Sequence, residues 1–465
     1  MTRYDAIVIG GGTGNNTALA AAAAGNEVAL IEPGPLGGTC LNRGCNPSKM
    51  LIQHANVANG VREANGWNME ASLSSIDFPA IVSGVNERLG DVAESMERSA
   101  FVENDDIDLY REYAEFTDER ELVTESGEEL AAETVVVAAG TRPIHPGFID
   151  GIEDVDYLTS DDAVRLTERP DELVIVGGGY IACELGYFFD AMGADVTVVE
   201  MMDTLLPRED AEVAEAFTEI AGRRHDVYTD HAADVVREEG DRVVVEAESE
   251  DGGRIEVSGD ELLVAVGRRP NTDTLNVEAA GIETDERGFV RTNEYLETTA
   301  EGVWAQGDIA GNFLFKHTGD YETEVVSKNA FGDGREPADY TGVGHAVFTA
   351  PEIAAMGPTE GDLREAGQEY VVGRATLADT SMGRARRIED GFVKVLAAPD
   401  GELLGTHIVG EEASDLIHQA ILTKRLGGTV EEAAGAIYVH PALSKVMKAA
   451  FEDAVSRGTT IEVEG

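Results

Sequence analysis

Apolar residues in this chain fall into short runs with a repeating frame. Ala6–Ile9 runs into Gly10-Gly11-Gly12 and Leu173–Val176 into Gly177-Gly178-Gly179; each is followed by a helix-compatible stretch and a second apolar run, Val28–Ile31 or Val196–Val199. Short apolar runs alternating with helical stretches mark βαβ units, because a parallel strand covered on both faces has no polar side. The alanine run Ala18–Ala24 suits the helix after the first glycine turn. Turn-rich segments, Arg142–Gly147 and Arg268–Asn271, bound the second unit, which nests within the first. From about Gly342 the pattern changes to strand runs such as Phe392–Ala397 and longer helical segments, Ala413–Arg425 and Pro441–Val455. The expected class is α/β: two Rossmann-like units, over residues 1–145 and 146–268, a central segment 269–341 completing the first, and a C-terminal α+β domain over 342–465.

Charge narrows the setting. The 465 residues include 89 Asp and Glu against 35 Lys and Arg, a formal net charge of −54. Such a surface repels nucleic acid and anionic membranes. Dense carboxylates with few lysines suit molar salt, which screens self-repulsion, so a halophile's cytoplasm is expected. No signal peptide precedes the strand-like run Tyr4–Gly10, and no apolar stretch is long enough to span a bilayer. Three cysteines are too few for a secreted disulfide scaffold. Cys183, beside Ile181 and Ala182, reads as a buried thiol.

Cys40 and Cys45 lie in Gly37-Gly38-Thr39-Cys40-Leu41-Asn42-Arg43-Gly44-Cys45-Asn46-Pro47-Ser48-Lys49. Five steps along an ideal helix separate Cα atoms by about 7.5 Å, beyond disulfide reach, so Cys40 is expected at a distorted helix start. There, free N–H groups and the helix dipole would favour a thiolate. A zinc site would need further ligands, and no other Cys or His lies near, so the pair reads as a redox disulfide and no metal is expected. Gly10, Gly12 and Gly14, with Glu32 after the second strand, read as a first dinucleotide turn that departs from the strict fingerprint by placing Asn15 at its sixth position. Gly177, Gly179 and Ala182, with Glu200, form the second. Glu200 suits a free ribose 2′-hydroxyl and hence NADH, against the alternative of a solvated surface carboxylate.

These pieces, together with Val135–Pro143, Gly179–Glu184 and Gly302–Asp308, resemble the pyridine nucleotide–disulfide oxidoreductases over essentially the whole chain. The resemblance implies FAD at the first turn, with Gly140, Gly307 and Asp308 also on the FAD side and Asp308 bonding its ribityl chain. It implies NADPH or NADH at the second, with Gly267 on that side. It pairs Lys49 with Glu184 beside the flavin, puts Cys45 nearest the flavin, and makes Cys40 the exposed interchange thiol. The segment Val439-His440-Pro441 is similar to the one in which a histidine crosses a homodimer interface as acid–base for the partner's disulfide, a task its pKa suits.

Departures from the family pattern shape the substrate. Where the family has a glutamate five residues past this histidine, the chain has Lys445. Arg43 lies between the cysteines, and Arg384, Arg386 and Arg387 form a basic cluster that is otherwise a set of surface ion pairs. Arg43 and Lys445 are the expected substrate cations if they line the cleft. The first turn, Leu314–His317 and His440–Leu443 resemble mycothione reductases more than dihydrolipoamide dehydrogenases, and no cysteine follows Cys183 for mercury hand-off. The expected substrate is a small acidic disulfide, bis-γ-glutamylcystine, reduced to γ-glutamylcysteine. The alternatives are a dihydrolipoamide dehydrogenase and, in another class, a non-catalytic flavoprotein scaffold. Thiol-buffer reductases commonly use NADPH, so the nicotinamide stays open.

Overall fold

In the computed structural model, which describes residues 1–98 and 104–461, the runs around Ala6–Ile9 and Leu173–Val176 are inner strands of two separate parallel sheets. In the first sheet Ile107–Tyr110, Val28–Ile31, Thr2–Ile9 and Glu129–Val137 run parallel, and Glu121–Thr124 and Ala114–Asp118 add an antiparallel edge. Ala6, Ile7 and Val8 are fully buried, which is why this strand reads as a continuous apolar run. In the second, Asp226–Tyr228, Asp195–Val199, Glu172–Val176 and Glu261–Val264 are all parallel. A three-stranded antiparallel sheet, Ala232–Glu239, Arg242–Glu248 and Arg254–Gly259, precedes the last of these strands in the chain.

The chain then returns. Val303–Ala305 pairs in parallel with Val135–Val137 of the first sheet, so the second sheet is inserted between strands of the first. The two crossings pair with each other, Thr141–Pro143 antiparallel to Arg268–Pro270.

Residues beyond 342 build an antiparallel sheet in the order Gly344–Val347, Glu352–Met356, Leu403–Gly410, Phe392–Ala397, Val371–Thr376, with the helix Lys445–Ile461 packed across its far strands. Two helical expectations change here. The stretch 413–425 is two helices, Ala413–Leu416 and His418–Arg425, and the last helix begins at Lys445 instead of Pro441. Proline restricts the residue before it to extended geometry, so His440-Pro441 stays in the preceding loop. Residues 462–465, the end of the expected last domain, lie outside the described residues.

Helix Cys45–Glu63 of the first region packs along helix Tyr180–Met192 of the second. Each starts beside a glycine-rich turn, and their contact brings the two turns' chemistry together. Among the described residues no helix is long and apolar enough to cross a membrane.

Candidate active site

The two thiols sit on either side of a break between helices. Cys40 lies inside the short helix Gly38–Arg43, and Cys45 is the first residue of Cys45–Glu63. The expectation of Cys40 at a distorted helix start is therefore corrected: the distortion falls at Gly44, where the chain turns between the two helices. A Cβ there would lie 2.9 Å from Thr39 O. The turn at Gly44 removes the need to span five steps of one continuous helix, and the thiol at a helix N-terminus is Cys45. Its pKa is lowered to about 7, first by a hydrogen bond from Cys40, then by Lys49 and its own backbone N–H, against desolvation by the protein packed around its sulfur, which raises it. Cys40 moves the other way, because it gives that hydrogen bond and is desolvated. Both are free thiols here, Cys45 exposed and Cys40 half-buried, so the greater exposure expected of Cys40 falls on Cys45.

Lys49 stands one turn into the same helix, and its ammonium lies 2.5 Å from Glu184 Oε2. Glu184 is buried, and its other oxygen accepts from Phe348 N at 3.0 Å. The Lys49 ammonium also rests 4.9 Å from the centre of the Phe348 ring. Three regions of the chain thus hold one cation beside Cys45. Next to it, Thr141 Oγ1 donates to Asp308 Oδ2 at 2.9 Å and accepts from Arg268 Nε at 2.9 Å. Burial raises the Asp308 carboxyl, and Thr141 and Arg268 oppose that shift. Arg43 meets Asp161 at 3.4 Å, and Arg268 approaches the same carboxylate at 4.0 Å.

The glycine turns have matching geometry. Gly10 and Gly177 both hold φ at 109°, where a Cβ would strike Ala138 O at 2.3 Å or Ala265 O at 2.6 Å. Glu32 Oε2 accepts from Gly11 N at 2.6 Å and Oε1 from Gly34 N at 2.8 Å. Glu200 does the same for Gly178 N and, at 2.8 Å, for Met202 N. In the first turn Gly14 performs the close packing that the strict fingerprint gives to its sixth residue, since a Cβ there would lie 2.8 Å from Val8 Cγ1. In the second, Ala182 is fully buried in that role. Gly140, Gly267 and Gly307 all take positive φ at the rims of these turns. His440 is exposed in the loop before Lys445–Ile461; among the described residues it has no hydrogen bond, and Lys445 has no ion pair.

Two family models match: pyridine nucleotide-disulphide oxidoreductase over residues 4–330, and the dimerisation domain of the same family over 343–451. The chain belongs to this family. It is 37% identical to a mycothione reductase of Mycobacterium tuberculosis over 96% of this chain and 98% of that protein. It is also 37% identical to a dihydrolipoyl dehydrogenase of Haloferax volcanii, over 98% of this chain and 97% of the relative. A solved structure, the Cu(II) complex of the HOCl-induced flavoprotein disulfide reductase RclA from Escherichia coli, superposes with a TM-score of 0.86 at 27% identity, covering 97% and 99% of the two chains.

As a pyridine nucleotide-disulphide oxidoreductase, the protein is a flavoprotein enzyme that works with FAD and NAD(P)H. The residues present fit two such dinucleotides. Helices Gly14–Ala23 and Tyr180–Met192 both start without a side-chain cap or an acidic residue in the first turn, so their free N–H groups face the glycine turns as phosphate donors. Cys183 is buried in the second of these helices, its thiol donating to Gly178 O at 3.4 Å and pushed up by desolvation.

Sequence reasoning missed four members of this neighbourhood. Arg268 and Thr141 come from the two paired crossings. Glu322 is fully buried and accepts from Gly307 N, Asn312 Nδ2 and Tyr340 Oη, holding the turn that carries Asp308. Lys316, at the start of helix Lys316–Phe331, is felt by the Cys40 thiol. Only Lys316 left a signal, as one of seven lysines in so acidic a chain.

Proposed function

We propose that this enzyme reduces a small disulfide bearing carboxylates, bis-γ-glutamylcystine to γ-glutamylcysteine, as a homodimer. The observation that carries the reductase reading is geometric: Cys40 and Cys45 flank the helix break at Gly44, and the Lys49–Glu184 ion pair, at 2.5 Å, stands one turn along from Cys45. FAD, bound at the first turn near Cys45, would pass two electrons from the nicotinamide to the disulfide form of the pair. Lys49 keeps the Cys45 sulfur anionic, and Glu184 keeps Lys49 in place. Cys40, with its raised pKa, holds the shared proton until it attacks the substrate.

Gly10, Gly12, Gly14, Glu32, Gly140, Gly307 and Asp308 hold FAD on this reading. Gly177, Gly179, Ala182, Glu200 and Gly267 hold the nicotinamide dinucleotide. Glu200 is buried and followed by Met201, Met202 and Asp203, none cationic, which supports NADH over NADPH. His440 supplies the acid for the leaving thiolate of the partner's site. Support for the dimer comes from the exposed apolar residues of this region, Leu422, Leu426, Ile437 and Val439.

Steady-state rates with bis-γ-glutamylcystine, lipoamide, oxidised glutathione and mercuric ion, each with NADH and NADPH in molar salt, test the substrate. The first disulfide should give the highest kcat/KM. A preference for lipoamide moves the assignment to dihydrolipoamide dehydrogenase, the reading favoured by the Haloferax relative. Shared sites are tested by mixing a His440→Ala chain with a Cys40→Ser chain. Each is inactive alone, and hybrid dimers regain one complete site; no recovery on mixing would place His440 in its own chain's site.

A further inference from the structure

The thiol loop and the start of helix Lys316–Phe331 lean on two adjacent residues, Gly12 and Thr13. A Cβ on Gly38, two residues before Cys40, would lie 2.6 Å from Gly12 Cα. A Cβ on Gly319, next to Asp320, would lie 2.9 Å from Thr13 Cγ2 and 3.3 Å from Gly307 Cα. The Gly12–Thr13 turn therefore brings Cys40 and the first turn of this helix together. Beyond Cys45, the charges that the Cys40 thiol feels are the ammonium of Lys316 and the carboxylate of Asp320.

Lys316 is not explained by the stability of its helix. A cation in the first turn opposes the helix dipole, and this helix has no acidic residue there to offset it. Its only ion-pair partner among the described residues is Asp320, one turn on, with side chains 35% and 44% exposed. An exposed pair at this spacing contributes little, because water screens both charges, so another carboxylate can replace Asp320 at small cost. The backbone is held more firmly. His317, Phe315, His345 and Tyr180 stack ring on ring with successive centroids 5.5, 5.2 and 5.7 Å apart, and His345 meets Glu209 at 2.7 Å. The stack anchors both neighbours of Lys316 but does not include its side chain, which reaches Asp320. Arg43, expected from sequence together with Lys445, meets Asp161 at 3.4 Å and is a second cation that a substrate carboxylate could reach.

We infer that Lys316 is a specificity-determining residue that holds a carboxylate of the incoming disulfide beside Cys40, with Asp320 as the counter-ion the substrate displaces. This rests on the reductase reading above and names the group that its substrate must carry. In the covalent step the Cys40 thiolate attacks one substrate sulfur, the substrate S–S bond breaks, and the second sulfur leaves as a thiolate that takes up a proton. Cys45 then attacks Cys40 Sγ, releasing the first half and closing the Cys40–Cys45 disulfide, so the dithiol supplies both electrons. Lys316 acts by charge alone, drawing an anion into a molecule whose net charge of −54 repels it.

Two measurements test this. The first is the ratio of kcat/KM for bis-γ-glutamylcystine to that for lipoamide. Lys316→Gln should lower the ratio about tenfold or more, chiefly through KM of the acidic disulfide, Lys316→Arg should restore most of it, and Asp320→Asn should raise it. The second needs no turnover: in a Cys45→Ser background, the rate of Cys40 alkylation by anionic iodoacetate is compared with that by neutral iodoacetamide. Lys316→Gln should lower this ratio severalfold, and the effect should shrink in molar salt. If wild type reduces the disulfides and both ratios ignore Lys316, the inference is wrong and the reductase reading stands. If wild type reduces neither disulfide, the reductase reading fails, and the alkylation ratio alone decides whether Lys316 serves Cys40.

Discussion

The two glycine turns begin as near copies and end in different surroundings. Both put a glycine at φ 109° against a carbonyl oxygen, and both satisfy the middle glycine's N–H with a glutamate from the end of the second strand. At the third glycine they part. A Cβ on Gly12 would meet Gly38 Cα at 3.6 Å, whereas a Cβ on Gly179 would meet nothing within 4 Å. The thiol loop closes on the first turn and leaves the second open. The cradle for a phosphate is a local matter, but whether its occupant is enclosed or free to exchange depends on what folds over it. The proposed assignment, FAD at the first turn and nicotinamide at the second, follows that difference.

The largest break in the comparison is at the thiol pair, which only the first turn possesses. Cys40→Ser and Cys45→Ser should each lower disulfide turnover by about a thousandfold or more, while the Kd for nicotinamide, measured by fluorescence titration, stays within about twofold. Turnover of more than a few per cent in either variant would place the chemistry elsewhere. Next come the turns themselves. Gly10→Ala and Gly177→Ala each force a Cβ into a strained backbone, at a cost of about 1–3 kcal/mol before the steric clash is counted. Gly10→Ala should yield protein purified without FAD absorbance, and Gly177→Ala should keep FAD while KM for the nicotinamide rises about tenfold or more. Loss of FAD from both would mean that the turns do not act separately.

A smaller effect concerns the charge beside the first turn. In the reduced protein, thiolate ultraviolet absorbance should rise with a midpoint near pH 7, below the ordinary cysteine range. Because the folded pKa lies below the unfolded value of about 9, the stabilisation is fully present above pH 9 and is lost as pH falls through about 7. Thermal unfolding of the reduced protein, compared with Cys45→Ser, should show that loss over the same window. Lys49→Met should move the midpoint upward, and an unmoved midpoint would leave the hydrogen bonds from Cys40 and from the Cys45 backbone N–H as the cause. The smallest effect separates the two glutamates. Glu200→Gln should cost about 1 kcal/mol or somewhat more in urea unfolding, and Glu32→Gln less, because Glu200 is the buried one of the pair.

Much of this frame was legible in the chain. The strands Val28–Ile31 and Phe392–Ala397 stand where the apolar runs put them, and the acid expected after each second strand does reach its glycine turn. Lys49 and Glu184, far apart in sequence, do pair. The placement of the helix break was not legible, because several glycines crowd the thiol segment and only packing against Thr39 selects Gly44. Of the basic cluster, Arg386 pairs with Glu411 and Glu412, and Arg387 lies over the Trp67 ring at 4.4 Å.

Sequence alone determined the two nucleotide turns, the thiol pair and the α+β end of the chain, because strand periodicity and backbone freedom at glycine depend on neighbours along the chain. The tertiary structure decided which thiol carries the charge, that Arg43 lies against Asp161, and that Lys316 stands by Cys40. It also decided that Lys394, one more lysine in an apolar strand pattern, would be buried against Asp210, Glu212 and Glu360, joining the nested sheet region to the last domain. Such outcomes depend on distances between charged and hydrogen-bonding groups, whether a few residues apart, as Cys40, Cys45 and Lys49 are, or far apart in the chain, and those distances exist only once the chain has folded.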